Sequence, residues 1–368
     1  MKYLMTIWSR TPKDYFIIEN LAKFLIKKNN NVSIIHQSKG SEERTLFNLK
    51  CSSHKIFYSK NLFLNKFYFI YYFIYLFFFI LINKPNKIII FNNYPILIIQ
   101  LIKFFYKGKL FYHNFDYNPF SKNLTQKFFN YLEKKNAHMF SKIILSNEKR
   151  AKLFQKMTYQ KITPSIVYNC LPIGSLKKFK KKKRKIIKIF RIGSIGSGHG
   201  LINLIKSFKY LSPKYHLTIC GIIADKVFFQ KILNIIAKDQ TQNKIKILIS
   251  PTQKVWRRLM INSDLGVAFY QPVNISHKYM VGASQKINSY LAAGLPILLP
   301  DEKQFKSFTA QYNCSVNTNI KSPKIIAKTI KKIFLNKKKL NKLKKNSNLA
   351  FKNCFNFEYQ IKKVDYYQ

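Results

Sequence analysis

Two short stretches of the chain hold the residue types that bind or move charge. In the first, Gly193-Ser194-Ile195-Gly196-Ser197-Gly198-His199-Gly200 joins a strand pattern to a helix pattern. Glycines at such a junction let backbone N–H groups close on a phosphate at a helix N-terminus. A tight turn with no ligand uses the same residues. In the second, Ser284 is placed to cap a helix that ends at Gly294, beyond which Pro296 forbids continuation. Lys286 falls in the first turn of that helix, where a cation opposes the helix dipole. An anion bound at the N-terminus would account for it; the other reading is one more surface lysine.

Acidic residues inform by their scarcity. There are 14, none in an Asp-x-Asp motif, and close pairs occur only at 42–43 and 301–302. A two-carboxylate site that clamps a diphosphate through Mg²⁺ or Mn²⁺ is therefore not expected, and no metal or cofactor is called for. His-Glu-x-x-His, Walker A and Gly-x-Ser-x-Gly motifs are absent. Five cysteines with no Cys-x-x-Cys spacing argue against a disulfide framework and a zinc site, and for a reducing, cytoplasmic compartment.

A chain of 368 residues makes about two domains. The 66 basic residues give a formal charge of +52, which raises nucleic acid as a partner. Only seven of them are Arg, the residue that forks onto bases and phosphates, so no nucleic acid is expected. Lys, Ile, Asn, Phe and Tyr share A/T-rich codons, and a biased genome explains much of the Lys. A 47% hydrophobic share excludes a disordered basic tail.

Strand and helix patterns alternate throughout. The first half reads as strands at 3–8, 32–36, 87–91, 109–113 and 142–145, with helices at 15–28, 62–82, 96–105 and 122–139. Near residue 170 the pattern breaks, and 177–188 holds nine basic residues in twelve. A solvated linker is the preferred reading of that run; the other is contact with anionic lipid, at about 1 kcal/mol per Lys. The second half reads as strands at 186–192, 215–221, 244–249, 265–270 and 296–299, with helices at 201–211, 226–238, 252–262, 284–293 and 322–345. The fold class is α/β, two Rossmann-like parallel-sheet domains facing a cleft, with ligands expected at the carboxyl ends of the strands. The domains are 1–170 and 171–350, with 351–368 returning to the first.

Residues 67–82, Phe-Tyr-Phe-Ile-Tyr-Tyr-Phe-Ile-Tyr-Leu-Phe-Phe-Phe-Ile-Leu-Ile, are apolar or Tyr throughout. Sixteen residues fall short of the roughly 20 that a spanning helix needs. A helix buried in a domain core or capping a sheet, with Tyr hydroxyls reaching the rim, and feeding the next strand is preferred; a helix resting in a membrane interface, flanked by Lys60, Lys66, Lys84 and Lys87, is the alternative.

At this point the sequence resembles the GT-B glycosyltransferases of the group 1, family 4-like type. Phe190–Leu201 is similar to the strand, Gly-rich loop and helix that open their donor domain. Asn262-Ser263-Asp264-Leu265-Gly266-Val267 resembles their A-D-(I/L)-G strand, and 283–300 their S-x-K-(L/I)-x-E-Y-L-A-A-G-L-P stretch. Weaker likenesses lie at 109–116, 140–150, 169–172 and 355–358. The resemblance implies metal-independent transfer of a sugar from a nucleotide-sugar donor held in the second half. Carried over by position, Gly193, Ser194, Gly196, Gly198, His199, Lys286, Ser289 and Tyr290 would bind the donor. The family's paired glutamates fall on Val281 and Ser289, and the Arg and Lys of its glycine loop on Ser194 and His199, which could be a partial cation.

In the first half, Asp116 or His113 could act as the base or orient the acceptor hydroxyl. Arg10, Asp14 and Asn114 complete the acceptor-side loops, although for Arg10 and Asp14 structural hydrogen bonding is the preferred role. The expected acceptor is a lipid-linked or surface-polysaccharide precursor, reached from the cytoplasmic face of an anionic membrane by a peripheral bacterial enzyme. The alternative is a catalytically degenerate GT-B protein that partners an active transferase.

Overall fold

The computed structural model describes residues 1–8, 15–38, 51–57, 61–121, 123–159, 163–176, 185–273 and 275–366. The chain divides into two compact units, Met1–Asn169 with Gln360–Gln368, and Cys170–Tyr359. The second unit thus keeps the chain to Tyr359 rather than to 350, and the returning segment begins at Gln360.

Unit 1 runs β1 (Lys2–Ile7), α1 (Phe16–Lys27), β2 (Asn31–Ser38), β3 (Cys51–Phe57), α2 (Leu62–Asn83), β4 (Lys87–Phe91), α3 (Leu97–Ile102), β5 (Lys109–Asn114), α4 (Leu124–Asn136), β6 (Lys142–Leu145), α5 (Glu148–Thr158) and β7 (Ser165–Ile166). Its seven strands are ordered β3-β2-β1-β4-β5-β6-β7, with parallel pairing throughout. Every residue of β4 is buried, the signature of a strand covered on both faces. Even Lys87 is enclosed, its Nζ donating to the Tyr366 carbonyl at 2.8 Å. Tyr3 donates to the same carbonyl at 2.7 Å, and the Gln360 side chain accepts from Tyr168 N at 2.9 Å. These bonds tie residues 360–366 onto unit 1.

Unit 2 runs β8 (Ile187–Ile192), α6 (Leu201–Ser207), β9 (Tyr215–Gly221), α7 (Lys226–Lys238), β10 (Ile245–Ile249), α8 (Gln253–Ile261), β11 (Leu265–Val267), α9 (Ile275–Lys278), α10 (Gln285–Ala292), β12 (Ile297–Pro300), α11 (Lys303–Tyr312), β13 (Ser315–Thr318), α12 (Pro323–Leu335) and α13 (Lys337–Asn353); α14 (Phe357–Ile361) leads back to unit 1. The sheet order is β10-β9-β8-β11-β12-β13, again parallel. In each unit the order reverses beside the first strand, at β1/β4 and at β8/β11. Loops leaving strands at such a reversal splay apart and open a crevice, which is where doubly wound sheets bind ligands.

Helix α2 caps the sheet rather than being buried all round. It is 22 residues long, capped by Asn61, and its inner side joins the core through Tyr72, Phe73, Leu76 and Ile80. Tyr72 also hydrogen-bonds Thr6 on β1. Its outer side is exposed along the whole length, and within its most apolar window only 22% of residues are buried. The basic run at 177–184 lies outside the described residues.

Candidate functional site

The glycine loop leaves β8 at the strand-order reversal of unit 2. Gly193 has φ +119, a conformation that strains any residue with a Cβ. A Cβ there would also sit 2.7 Å from Lys286 Cε, so the missing side chain admits Lys286 against the loop. Gly198 has φ +82 and packs on the His277 ring, while Gly196 is an ordinary buried loop residue and Ser194 is exposed.

Lys286 arrives from the first turn of α10. The Ser284 hydroxyl accepts from Ile287 N at 3.2 Å, which fixes the helix start, and it also bonds the Tyr270 hydroxyl at 2.6 Å. Tyr270 lies just beyond β11, and the Lys286 ammonium stands over its ring, 4.5 Å from the centroid. Burial, and then the charge of Arg191, hold the Lys286 pKa well below the ordinary lysine value.

Arg191 was not among the expected site residues. It sits in β8, 3% exposed, and its guanidinium donates to the carbonyls of Gly193 and Ser194. Burial lowers its pKa to about 10, so it stays charged at neutral pH. A second basic residue in a mostly apolar strand, three positions after Lys188 and two before a glycine loop, was the available signal. Arg191 and Lys286 thus flank Gly193 as two basic side chains, and among the described residues neither forms an ion pair. Two enclosed like charges with no counter-ion disfavour each other, and a bound anion would remove that cost.

His199 corrects the expectation of a partial cation. Burial, followed by the charges of Lys286 and Arg191, pushes its pKa down to about 2. It is a neutral ring 4.9 Å from the His277 ring, and its Nδ1 has no hydrogen-bond partner among the described residues. Ser289 and Tyr290 are placed differently from what a direct ligand contact requires. Ser289 is 1% exposed and Tyr290 fully enclosed. The Tyr290 hydroxyl accepts from Ile192 N at 3.1 Å and donates to the Val267 carbonyl at 3.2 Å. It is a strut that sets the spacing between β8 and β11 and reaches the loop only through the backbone. Its ring lies against Gly266, where a Cβ would approach to 2.6 Å.

In unit 1, Asp116 follows β5 with its side chain exposed. Its Oδ2 accepts from the Tyr15 hydroxyl at 2.5 Å, and its backbone N–H donates to Asn114 Oδ1 at 3.1 Å. The preceding carbonyl, of Phe115, is held by Arg150 and by Ser146 at 3.0 Å, and the Phe115 ring stacks between Tyr15 and Phe91. Asn114 is buried and donates to Glu133 Oε1 at 2.7 Å, which makes it part of the support. His113 is 1% exposed, wedged edge-on to Phe91 and Phe115, with neither ring nitrogen bonded among the described residues; burial takes its pKa to about 3. Of the two base candidates, the carboxylate of Asp116 is the one at the surface. Arg10 and Asp14 lie outside the described residues.

Comparison with solved structures decides the architecture. HepE from Anabaena, in complex with UDP, aligns with TM-score 0.75 and 13% identity over 97% of this chain and 96% of its own. A glycosyltransferase from Rickettsia africae aligns with TM-score 0.75 and 14% identity, over 98% and 96% of the two chains. Sucrose-phosphate synthase from Thermosynechococcus elongatus gives TM-score 0.74 at 10% identity, over 97% and 95%. The chain has the GT-B fold. No family model and no curated protein matches the sequence. Within a GT-B architecture the pairing of the β8 glycine loop with the α10 N-terminus comes from the second Rossmann-like domain, and the Tyr15–Asp116 pair from the first.

Proposed function

We propose that the chain is a metal-independent glycosyltransferase that takes its sugar from a nucleoside-diphosphate donor bound to unit 2. The observation that carries this reading is the pair of basic side chains Arg191 and Lys286 at Gly193, without a counter-charge among the described residues. A diphosphate is the anion whose charge suits Lys286, the α10 N-terminus and the field of the enclosed Arg191, which grips the loop rather than the ligand. As the sugar–phosphate bond breaks, negative charge grows on the departing diphosphate, and pre-placed cations stabilise it more than the ground state. They would also take the part that a divalent metal plays where carboxylates are abundant. HepE, solved with UDP, with UDP and glucose, and with UDP-glucose, makes a uridine donor the first choice to test.

In unit 1 we assign the acceptor's base to Asp116, a reading supported by its exposed carboxylate and its bond from Tyr15. The acceptor is a lipid-linked or surface-polysaccharide precursor at the cytoplasmic face of a bacterial membrane, a reading supported by the exposed apolar side of α2. A second reading is favoured by one observation: no acid stands where Ser289 is enclosed to hold a donor's ribose, as expected of a GT-B protein that has kept diphosphate binding but lost turnover and serves a partner. Titration with UDP followed by donor turnover on a panel of nucleotide sugars separates the two. Binding with turnover supports the enzyme, binding without turnover the partner, and absence of both overturns the donor site.

A further inference from the structure

Helix α2 is apolar on every side, yet the fold covers only one. Tyr72, Phe73, Leu76 and Ile80 point into the core. Phe63, Phe67, Ile70, Ile74, Phe78 and Ile82 recur at helical spacing on the other side, each more than half exposed, with Phe63 at 79% and Ile82 at 77%. At 1.5 Å per residue this stripe is about 28 Å long. It continues sideways. Phe77 meets Phe105 at 5.8 Å and Phe69 meets Phe129 at 6.1 Å, so α2 is flanked by the turn that follows α3 and by α4. Past those contacts Phe104 is 86% exposed and Leu124 80%. An apolar patch of this extent on an unpartnered protein marks an interaction surface.

The charge on the segments that carry the patch points to its partner. Lys66, Lys84, Lys103, Lys107, Lys127 and Lys134, on α2 and at its C-cap, after α3 and on α4, are exposed. Between residues 61 and 140 the only acids are Asp116 and Glu133, and Glu133 is buried. A second copy would bring the same cations against these, whereas anionic headgroups would neutralise them. Aromatic rings and lysines accompanying an apolar stripe suit the headgroup–acyl boundary. A bilayer-crossing α2 is disfavoured, because its inner side is joined to the sheet through Tyr72, Leu76 and Ile80 and its withdrawal would strip β1 and β4 of their cover.

We propose that the outer faces of α2, α4 and the turn that follows α3 form one membrane-seating surface, with α2 lying in the plane of an anionic bilayer and held by apolar insertion, the lysines adding a salt-sensitive part. The inference rests on the reading of a lipid-linked acceptor and names the surface that reading needs. It is tested by flotation of the full chain with mixed phosphatidylglycerol–phosphatidylcholine vesicles, alongside UDP titration of the same preparations. The protein should float at low salt and stay largely bound in about 1 M NaCl, where screening acts within about 3 Å and apolar insertion persists. The triple variant Phe67→Ser, Ile74→Ser, Phe78→Ser should bind vesicles about tenfold more weakly or worse while binding UDP as the parent does. Lys66→Gln with Lys84→Gln should weaken flotation at low salt only. A parent that binds UDP but does not float, or a triple variant that floats as the parent does, overturns the proposal. So does a stable dimer in light scattering that the triple variant dissolves without any flotation. Loss of UDP binding with flotation intact would instead sink the donor reading and leave the membrane surface standing.

Discussion

Replacing Lys286 by Met removes one of the two basic groups at Gly193 while keeping most of the side-chain volume. A hydrogen bond to a charged group contributes about 1.5–3 kcal/mol. Each 1.4 kcal/mol is about tenfold in affinity. The Kd for UDP should therefore rise about 10- to 150-fold in Lys286→Met, read by titration calorimetry. The free protein should behave in the opposite sense. Burial and Arg191 both depress the Lys286 pKa, so the folded state disfavours its charge. Between the depressed value and the ordinary lysine value of about 10.4, the unfolded chain binds more protons than the folded one, and this group's contribution to stability rises with pH through that window. At neutral pH the Met variant should melt no lower than the parent and should lack that rise. A bound diphosphate favours the ammonium form, so UDP binding by the parent at a pH above the depressed Lys286 pKa should take up protons, seen as heats that differ between buffers of different ionisation enthalpy. The Met variant should lose that difference. A Kd within about twofold of the parent, or a variant that binds poorly only because it is unfolded, would refute the reasoning.

Three further outcomes follow from the same geometry. Gly193→Ala places a Cβ 2.7 Å from Lys286 Cε at φ +119, and should weaken UDP binding and cost about 1–3 kcal/mol of stability, measured by calorimetry and denaturation. Asp116→Asn should lower turnover by about 10²- to 10⁴-fold with the Kd for UDP unchanged, a split that separates acceptor activation from donor binding. Glu133 is buried and its pKa is raised to about 7, chiefly by burial. The folded state then holds its proton more tightly than the unfolded, so stability falls as pH rises from about 4.5 to 7, by up to a few kcal/mol. Glu133→Gln, which can still accept from Tyr112 and Asn114, should flatten that fall in melting midpoints taken across the window.

The sheets were legible because their strands are short apolar runs enclosed on both faces; the residue patterns of β4, β6, β9 and helix α7 place their limits where the structure does. Elements without that signature escaped. Cys51–Phe57 is an edge strand whose Ser, His and Lys break the apolar run, and Ser165–Ile166 is only two residues long. Helices Glu148–Thr158 and Lys303–Tyr312 are polar outside and bury little beyond a few side chains. The site was legible where it rests on backbone chemistry, as at Gly193 and at the capped helix holding Lys286. It was hidden where it rests on enclosure. Arg191 reads as a strand residue until its guanidinium is seen gripping the loop, and His199 reads as a cation until burial and two neighbouring charges make it neutral. For the same reason the sequence showed that 67–82 is apolar all round but not which side the sheet would leave uncovered.

The central claim is that unit 2 holds a nucleoside-diphosphate sugar with cations alone and gives up its sugar. Release of nucleoside diphosphate from a panel of nucleotide sugars, followed with and without a chelator, tests it most directly. At least one donor should turn over at a rate the chelator leaves unchanged, and the rate should collapse in Lys286→Met. No turnover and no UDP binding by the parent, or a rate abolished by the chelator and restored by Mg²⁺, would contradict it.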